Sequence, residues 1–322
     1  GPAVPLILGG RQLFFWEGSK MKKATKILMA MVIIALVTGL TTHVLAYQRG
    51  GRGNMTPEQR AERQRQAIEQ MYAMERPIEA LDSVWIEELT WMEVRDAIAA
   101  GKTTAIVGTG GVEQNGPFLA TGKHNYVLQG ACEGIARKLG NALCAPIIKL
   151  VPEGSHNPKS GAMLYSGSIS LRQETFEMVL EDVGESLKQH GFEHIIFIGD
   201  SGGNQTGMGN AATALNERWG ETRAHYVSEF YRYRDVFSYM ENELGIVEGE
   251  NDGHHDDYVI TTIMMVTDPE TVRYQQRLDA GLASINGLSI KDKGKSISIG
   301  KKLLQFRIDT TVKAIKEVME RP

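Results

Sequence analysis

Two hydrophobic rhythms alternate along the middle of this chain. In "TTAIVGTG" (103–110) a short β-branched, apolar run breaks into glycines, as a buried strand does at its end. In "HNYVLQGACEGIARKLG" (124–140) the apolar positions Val127, Leu128, Ala131, Ile135 and Leu139 recur at helical spacing. "ALCAPIIKLVP" (142–152) reads as another buried strand. Residues 170–191 place Phe176, Val179, Leu180, Val183 and Leu187 on one helical face, and Gly191 closes the helix. "HIIFIG" (194–199) is again a strand, and "NQTGMGNAATALNERWG" opens a further helix. Upstream, "TWMEVRDAIAAG" is a capped helix ended by Gly101. Strands alternating with helices predict a three-layer αβα fold with a mostly parallel central sheet.

The pattern is different ahead of residue 82. Residues 1–20 precede a plausible start methionine and read as a mis-assigned or non-native extension. Residues 21–46 open on Lys22, Lys23 and Lys26, continue through an apolar stretch from Ile27 to Leu40, and end on Val44-Leu45-Ala46. This is the layout of a cleaved secretory signal, with the mature chain starting near Tyr47. The stretch is shorter than the ~20 residues that span a bilayer, so no stable membrane span is expected after cleavage. An exported protein, periplasmic or secreted, is the expectation. Residues 47–81 read as a flexible linker followed by a polar helical arm, capped by Thr56 and Pro57. Residues 82–322 form the α/β domain.

Composition narrows the function classes. The 322 residues are 42% hydrophobic and 23% charged, with a formal net charge of −4. No long basic run lies inside the folded part, so nucleic acid has no electrostatic claim on this protein. An oxidising compartment permits a bridge between Cys132 and Cys144, the two cysteines of the chain. Two cysteines twelve residues apart do not make a disulfide framework, and the expectation is two buried free thiols.

In parallel α/β sheets ligands bind at the carboxyl ends of the strands. Chemically capable residues crowd there. After 103–110 come Glu113, Gln114 and Asn115, with His124 beyond; after 194–199 come Asp200, Ser201 and Asn204; after Val151 come Glu153 and His156. Glu113 and His124 are donors of the kind a zinc or manganese site uses. On their own they also read as a helix-capping glutamate and a surface histidine. His254, His255, Asp256 and Asp257 precede an apolar run; they can bind metal or move protons, or simply begin a helix. "GDSGG" (199–203) satisfies the Gly-x-Ser-x-Gly template of a nucleophilic serine, which makes Ser201 a candidate nucleophile.

Taken together, these stretches resemble the creatininase (creatinine amidohydrolase) family over roughly residues 84–290. "EELTWMEVRDAIAAGKTTAIVGTGGVEQNGPFLATGKHN" is similar to the family's opening, which runs from a Thr-Trp-x-Glu helix through a strand to Gly-x-x-Glu-Gln-His-Gly-Pro-His-Leu-Pro-x-x-Thr-Asp. "SGSISL" (166–171) resembles its Pro-Gly-Thr-x-Ser-Leu, "IGDSGGN" falls where it has Asn-Gly-His-Gly-Gly-Asn, and "HDDYVITTIMM" where it has His-Ala-Gly-x-x-Glu-Thr-Ser-x-Met-Leu. The resemblance implies a hydrolase that opens an amide or other non-peptide C–N bond of a small molecule, a two-metal site of zinc or manganese, and a homo-oligomer, often a hexamer. The ligand set carries over only in part. Glu113 matches a ligating glutamate. Asn115 and Ser201 stand where ligating histidines are expected, His124 where a bridging aspartate is expected, and Gly203 where some members have a glutamate. His255 matches a late histidine that assists proton transfer.

The expected site is therefore Glu113, His255, Asp200 and Ser201 for catalysis, and Asn115, Gln114, Asn204 and Glu153 for substrate contact. Glu113, His124, Asp200 and Asp257 would hold a single divalent ion if one is bound, and a metal-free site is the other possibility. A non-catalytic small-molecule binding protein and a serine hydrolase using Ser201 are the competing readings.

Overall fold

The computed structural model describes residues 4–8, 11–15 and 55–320. The expected secretory signal lies outside them. Among the described residues no helix is long and apolar enough to cross a membrane. The chain divides into two compact units, Gly1–Glu75 and Arg76–Pro322.

The first unit contains an antiparallel pair, β1 (Val4–Leu8) and β2 (Arg11–Phe15), and helix α1 (Pro57–Ala73). Thr56 and Gln59 form a reciprocal capping box at the start of α1, and Pro57 occupies the first helical position. No residue of α1 is buried, as its polar composition predicts.

The second unit is built on a four-stranded, all-parallel sheet in the order β4-β3-β5-β6. The strands are β3 (Thr104–Thr109), β4 (Ala142–Cys144), β5 (His194–Gly199) and β6 (Ala224–Tyr226). The central pair β3–β5 runs in register from Thr104↔His194 to Thr109↔Gly199, so the two strands end side by side. Every residue of β3 is buried, the signature of a strand covered on both faces. Helices α2 (Trp91–Ala99), α3 (Lys123–Leu139), α4 (Gln173–Gln189) and α5 (Gln205–Trp219) alternate with the strands. They are followed by α6 (Tyr233–Leu244), α7 (Tyr258–Thr267), α8 (Tyr274–Asp279), a short β7–β8 ribbon (Ser284–Ile285 with Leu288–Ser289) and the long α9 (Lys293–Met319). Helix α9 packs on α7 and α3, which places the end of the chain against the helices that follow the β3 strand.

Two expectations change. The strand predicted over 142–152 stops at Cys144, and only isolated bridges at Ile148 and Val151 continue it. The break is a bulge at Pro146: Ala145 donates to the Ile106 carbonyl, and the next donation to β3, to the Gly108 carbonyl, comes from Ile148, three residues on instead of two. The interruption frees the segment to fold over the strand ends and carry Glu153 to them. The expected free thiols are also corrected: Cys132, buried on α3, and Cys144, at the end of β4, form a disulfide. The helix and the strand it precedes pack directly against each other, so the two sulfurs meet in the core. Thiol titration in denaturant without reductant should therefore find no free thiol, and two reactive thiols would contradict the bridge. By loop-closure entropy, reduction should cost about 3 kcal/mol of stability.

Candidate functional site

The site is assembled at the carboxyl ends of β3 and β5. Beyond β3 the backbone runs through Gly110 and Gly111 to Glu113. The loop folds back because Asn115 donates through Nδ2 to the carbonyls of Glu113 and Ala120. It then enters α3, whose first residues are Lys123 and His124, both buried. Beyond β5, Asp200 and Ser201 lead into α5. Asn204 ties the two strand ends together, its Nδ2 donating to the carbonyls of Thr109 and Gly110.

His124 is the hub. Its Nε2 lies 2.7 Å from Glu113 Oε1 and its Nδ1 lies 2.8 Å from Asp200 Oδ2. Lys123 Nζ is 3.4 Å from the same Glu113 oxygen and donates to the His255 carbonyl at 3.3 Å. His255 Nδ1 approaches Glu113 Oε1 at 3.5 Å from a more open position. On the far side, Asp200 Oδ1 accepts from Arg307 at 2.7 Å and from the Tyr233 hydroxyl at 2.8 Å. Arg307 reaches in from α9, is only 2% exposed, and also donates to the Phe230 carbonyl and the Tyr233 oxygen.

These contacts set the protonation states. Burial alone would raise the Glu113 carboxyl, but the His124 hydrogen bond and the charges of His124, Lys123 and His255 outweigh it and bring it down to about 2. Burial likewise opposes ionisation of Asp200, and Arg307 and His124 hold it below the ordinary carboxylate range. His124 is raised: its bonds to Asp200 and Glu113 overcome the desolvation that disfavours its charge. His255 is lowered by partial burial and the nearby Lys123 charge, so it is neutral at pH 7.

Glu153 behaves differently. Burial and the neighbouring Glu113 charge push it up to about 7. One of its oxygens, Oε2, accepts from Ser201 Oγ at 3.1 Å, while Oε1 is buried without a hydrogen-bond partner. It lies against Gly111, where a side chain would collide with Oε1. The turn after β5 is equally tight, because a Cβ at Gly203 would run into the Pro152 carbonyl. Small residues at 201 and 203 thus leave the space that Pro152 and Glu153 fill.

Of the expected site residues, Glu113, His124, Asp200 and His255 converge in one cluster, with Ser201 and Glu153 beside it. Asp257 stands apart. It caps α7 by accepting from the Ile260 N–H, and burial raises it to about 6. Asn115 and Asn204 spend their Nδ2 groups on backbone and each keeps a buried Oδ1 without a hydrogen-bond partner, and Gln114 accepts from the Gly116 N–H. Sequence reasoning missed Lys123, Tyr233 and Arg307. Arg307 did leave a signal: it sits on the apolar stripe of Leu303, Leu304, Ile308 and Val312, where an arginine needs a buried partner.

A divalent ion needs several open lone pairs, and at His124, Glu113 Oε1 and Asp200 they are taken, which leaves Glu153 Oε1 as the open carboxylate oxygen. Both His124 nitrogens face carboxylates, and the Glu113 and Asp200 oxygens that line the cluster each carry cationic or hydroxyl partners. Among the described residues no group of three or more His, Cys, Asp and Glu side chains is disposed to hold a metal ion. The donor set as arranged does not fit zinc or manganese.

Known proteins share this architecture. The structure of a creatinine amidohydrolase (creatininase) superposes with a TM-score of 0.57 at 18% identity, covering 75% of this chain and 100% of that one. A creatininase described as the Mn form gives 0.56 at 19% identity over 74% of this chain and 100% of its own. A variant creatininase described as Zn-Zn type gives 0.56 at 19% identity, covering 75% and 100%. The creatinine amidohydrolase of Pseudomonas putida is 26% identical over 116 residues, 36% of this chain and 44% of that protein, so the match spans less than half of that curated relative. Residues 87–301, which hold every member of the cluster except Arg307, match the creatininase (creatinine amidohydrolase) family. On that match, together with its parallel sheet and the placing of its polar cluster, the chain belongs to the creatininase family.

Proposed function

We propose that this chain hydrolyses an amide or other non-peptide C–N bond of a small molecule, with water activated by Glu153. The observation that carries the reading is the Glu153 carboxyl, buried, pushed up to about 7, with Oε1 free of any hydrogen-bond partner. A general base works best when its pKa lies near the working pH. Glu113, held at about 2 and bonded to His124, is a far weaker base. In the proposed step Glu153 takes a proton from water as the water oxygen attacks the carbonyl carbon. The same proton passes to the leaving nitrogen as the C–N bond breaks. Lys123 and the His124 ring offset the Glu113 and Asp200 carboxylates, so that Glu153 can ionise without facing uncompensated negative charge. His255, neutral and open to solvent on one side, stands within reach of Glu113 to relay protons.

The relatives described as Mn and Zn-Zn forms invite a metal here, but the donor set does not support it, and no step is assigned to one. Export to the periplasm or medium is proposed from the positively charged, apolar N-terminus and is supported by the Cys132–Cys144 bridge. A homo-oligomer is proposed from family membership.

One observation favours a second reading, a serine hydrolase. Ser201 Oγ donates to Glu153 at 3.1 Å, the geometry of a nucleophile beside its base. Turnover of a panel of amides, lactams and ureas, followed by mass spectrometry, tests the hydrolytic reading. Ser201→Ala should retain activity within about tenfold if water attacks directly, and a fluorophosphonate probe should leave the protein unlabelled. Labelling at Ser201 with loss of activity in Ser201→Ala would favour the nucleophile. Ligand-dependent stabilisation without any turnover would replace both readings with a binding protein.

A further inference from the structure

Two neighbouring positions reverse the sign of the site. Where the family resemblance expects Thr-Asp, this chain has Lys123-His124. We propose that Lys123 and His124 are resident cations that balance Glu113 and Asp200 in the place of divalent metal, so that this site is closed to zinc and manganese. The proposal goes beyond the hydrolytic reading and does not depend on it, because its readout is ion binding.

Three observations carry it. The first is the geometry at His124, with carboxylate oxygens at 2.7 and 2.8 Å from its two nitrogens. A neutral imidazole has one N–H and would turn a lone pair toward one carboxylate; an imidazolium donates to both. The second is charge. The carboxylates of Glu113 and Asp200, with Glu153 beside them, face Lys123, the imidazolium and Arg307, which bonds Asp200 at 2.7 Å, so the carboxylates are matched without a metal. A divalent ion among them would meet three positive neighbours in a site of low dielectric. The third is space. Ser201 and Gly203 bring neither imidazole nor carboxylate, and the volume is closed by Pro152 and Glu153; at Gly203 even a Cβ would strike the Pro152 carbonyl. The exchange is therefore concerted: donors are lost on the β5 side, and cations are gained at the start of α3.

The test uses the intact chain, stripped with chelator and titrated calorimetrically with zinc chloride and manganese chloride at neutral pH. No saturable binding near one equivalent, and a melting temperature indifferent to EDTA, are expected. One equivalent of zinc bound with a Kd below about 1 μM would overturn the proposal. A paired exchange, Lys123→Thr with His124→Asp, removes both cations and should gain zinc affinity by at least about tenfold. A folded variant that binds no better than wild type would show that these cations are not what excludes metal, and would also overturn the proposal. Should the variant fail to fold, the wild-type zinc titration decides alone. None of these outcomes depends on turnover, so the hydrolytic reading stands or falls separately.

Discussion

Replacing Arg307 with methionine should destabilise the fold by about 3–5 kcal/mol at neutral pH, the cost of breaking a buried ion pair from one side. Methionine keeps much of the volume between Phe230 and Tyr233, over whose rings the guanidinium lies at 4.2 and 4.5 Å. It supplies none of the donors that reach Asp200, Phe230 and Tyr233. Asp200 is fully buried and would be left with a neutral hydroxyl and His124. The pH dependence gives the mechanism away. Arg307 helps to hold Asp200 below its ordinary range, and a depressed carboxylate contributes stability above its unfolded pKa and loses it as pH falls through the folded one. The gap between wild type and variant should therefore be widest near neutrality and shrink below about pH 4, where the aspartate of the unfolded chain is itself protonated. Urea midpoints measured across this range check the expectation. A gap that stays constant with pH would mean that the arginine acts through packing alone, and Arg307→Lys, which keeps the charge but not the fork, should fall between the two.

How much of this was legible beforehand follows from what each residue depends on. The β3 and β5 strands and the faces of α3 and α4 rest on local periodicity, so Val127, Ile135, Phe176 and Leu180 were readable as core and are buried. The convergence of Glu113, His124 and Asp200 was readable too, because residues just beyond parallel strands share one edge of the sheet. What was not readable depends on contacts far apart in sequence. Arg307 meets Asp200 across 107 positions, and only the packing of α9 on α7 and α3 brings it there. Lys123 looks like a solvent-facing start of a helix until the loop closes over it. The strand over 142–152 failed at Pro146, which the apolar run concealed, and the same failure allows Glu153 to turn in. The disulfide escaped because twelve residues of separation say nothing about a helix folding back on its strand. Asp257, two residues after His255, shows the converse: nearness in the chain put it at a helix cap and away from the cluster.

Glu153→Gln should lower turnover by ~10²–10⁴, the range that a positioned general base contributes, and should erase the pH dependence that the carboxyl imposes. In the wild type Glu153 is raised to about 7, so kcat/KM should climb through that pH and level off above it, where the carboxylate is free to accept a proton. The amide is isosteric and keeps an oxygen for the Ser201 hydroxyl, which separates loss of the base from loss of shape. Stability should move the opposite way. A carboxyl whose folded pKa is raised contributes stability that is fully present below its unfolded pKa, near 4.5, and lost as pH rises through about 7. At pH above about 7 the wild type thus carries a buried, ionised Glu153 beside Glu113, at a cost on the order of 3 kcal/mol, and the glutamine variant does not. Wild type and variant should be close in stability below about pH 4.5 and diverge as pH rises, with the less active protein the more stable one. Paired pH series of kcat/KM and urea midpoints decide it. A variant that loses activity but shows no gain in stability above about pH 7 would mean that Glu153 is already paired in the wild type, and proton abstraction would pass to His255, whose own lowered pKa leaves it neutral there.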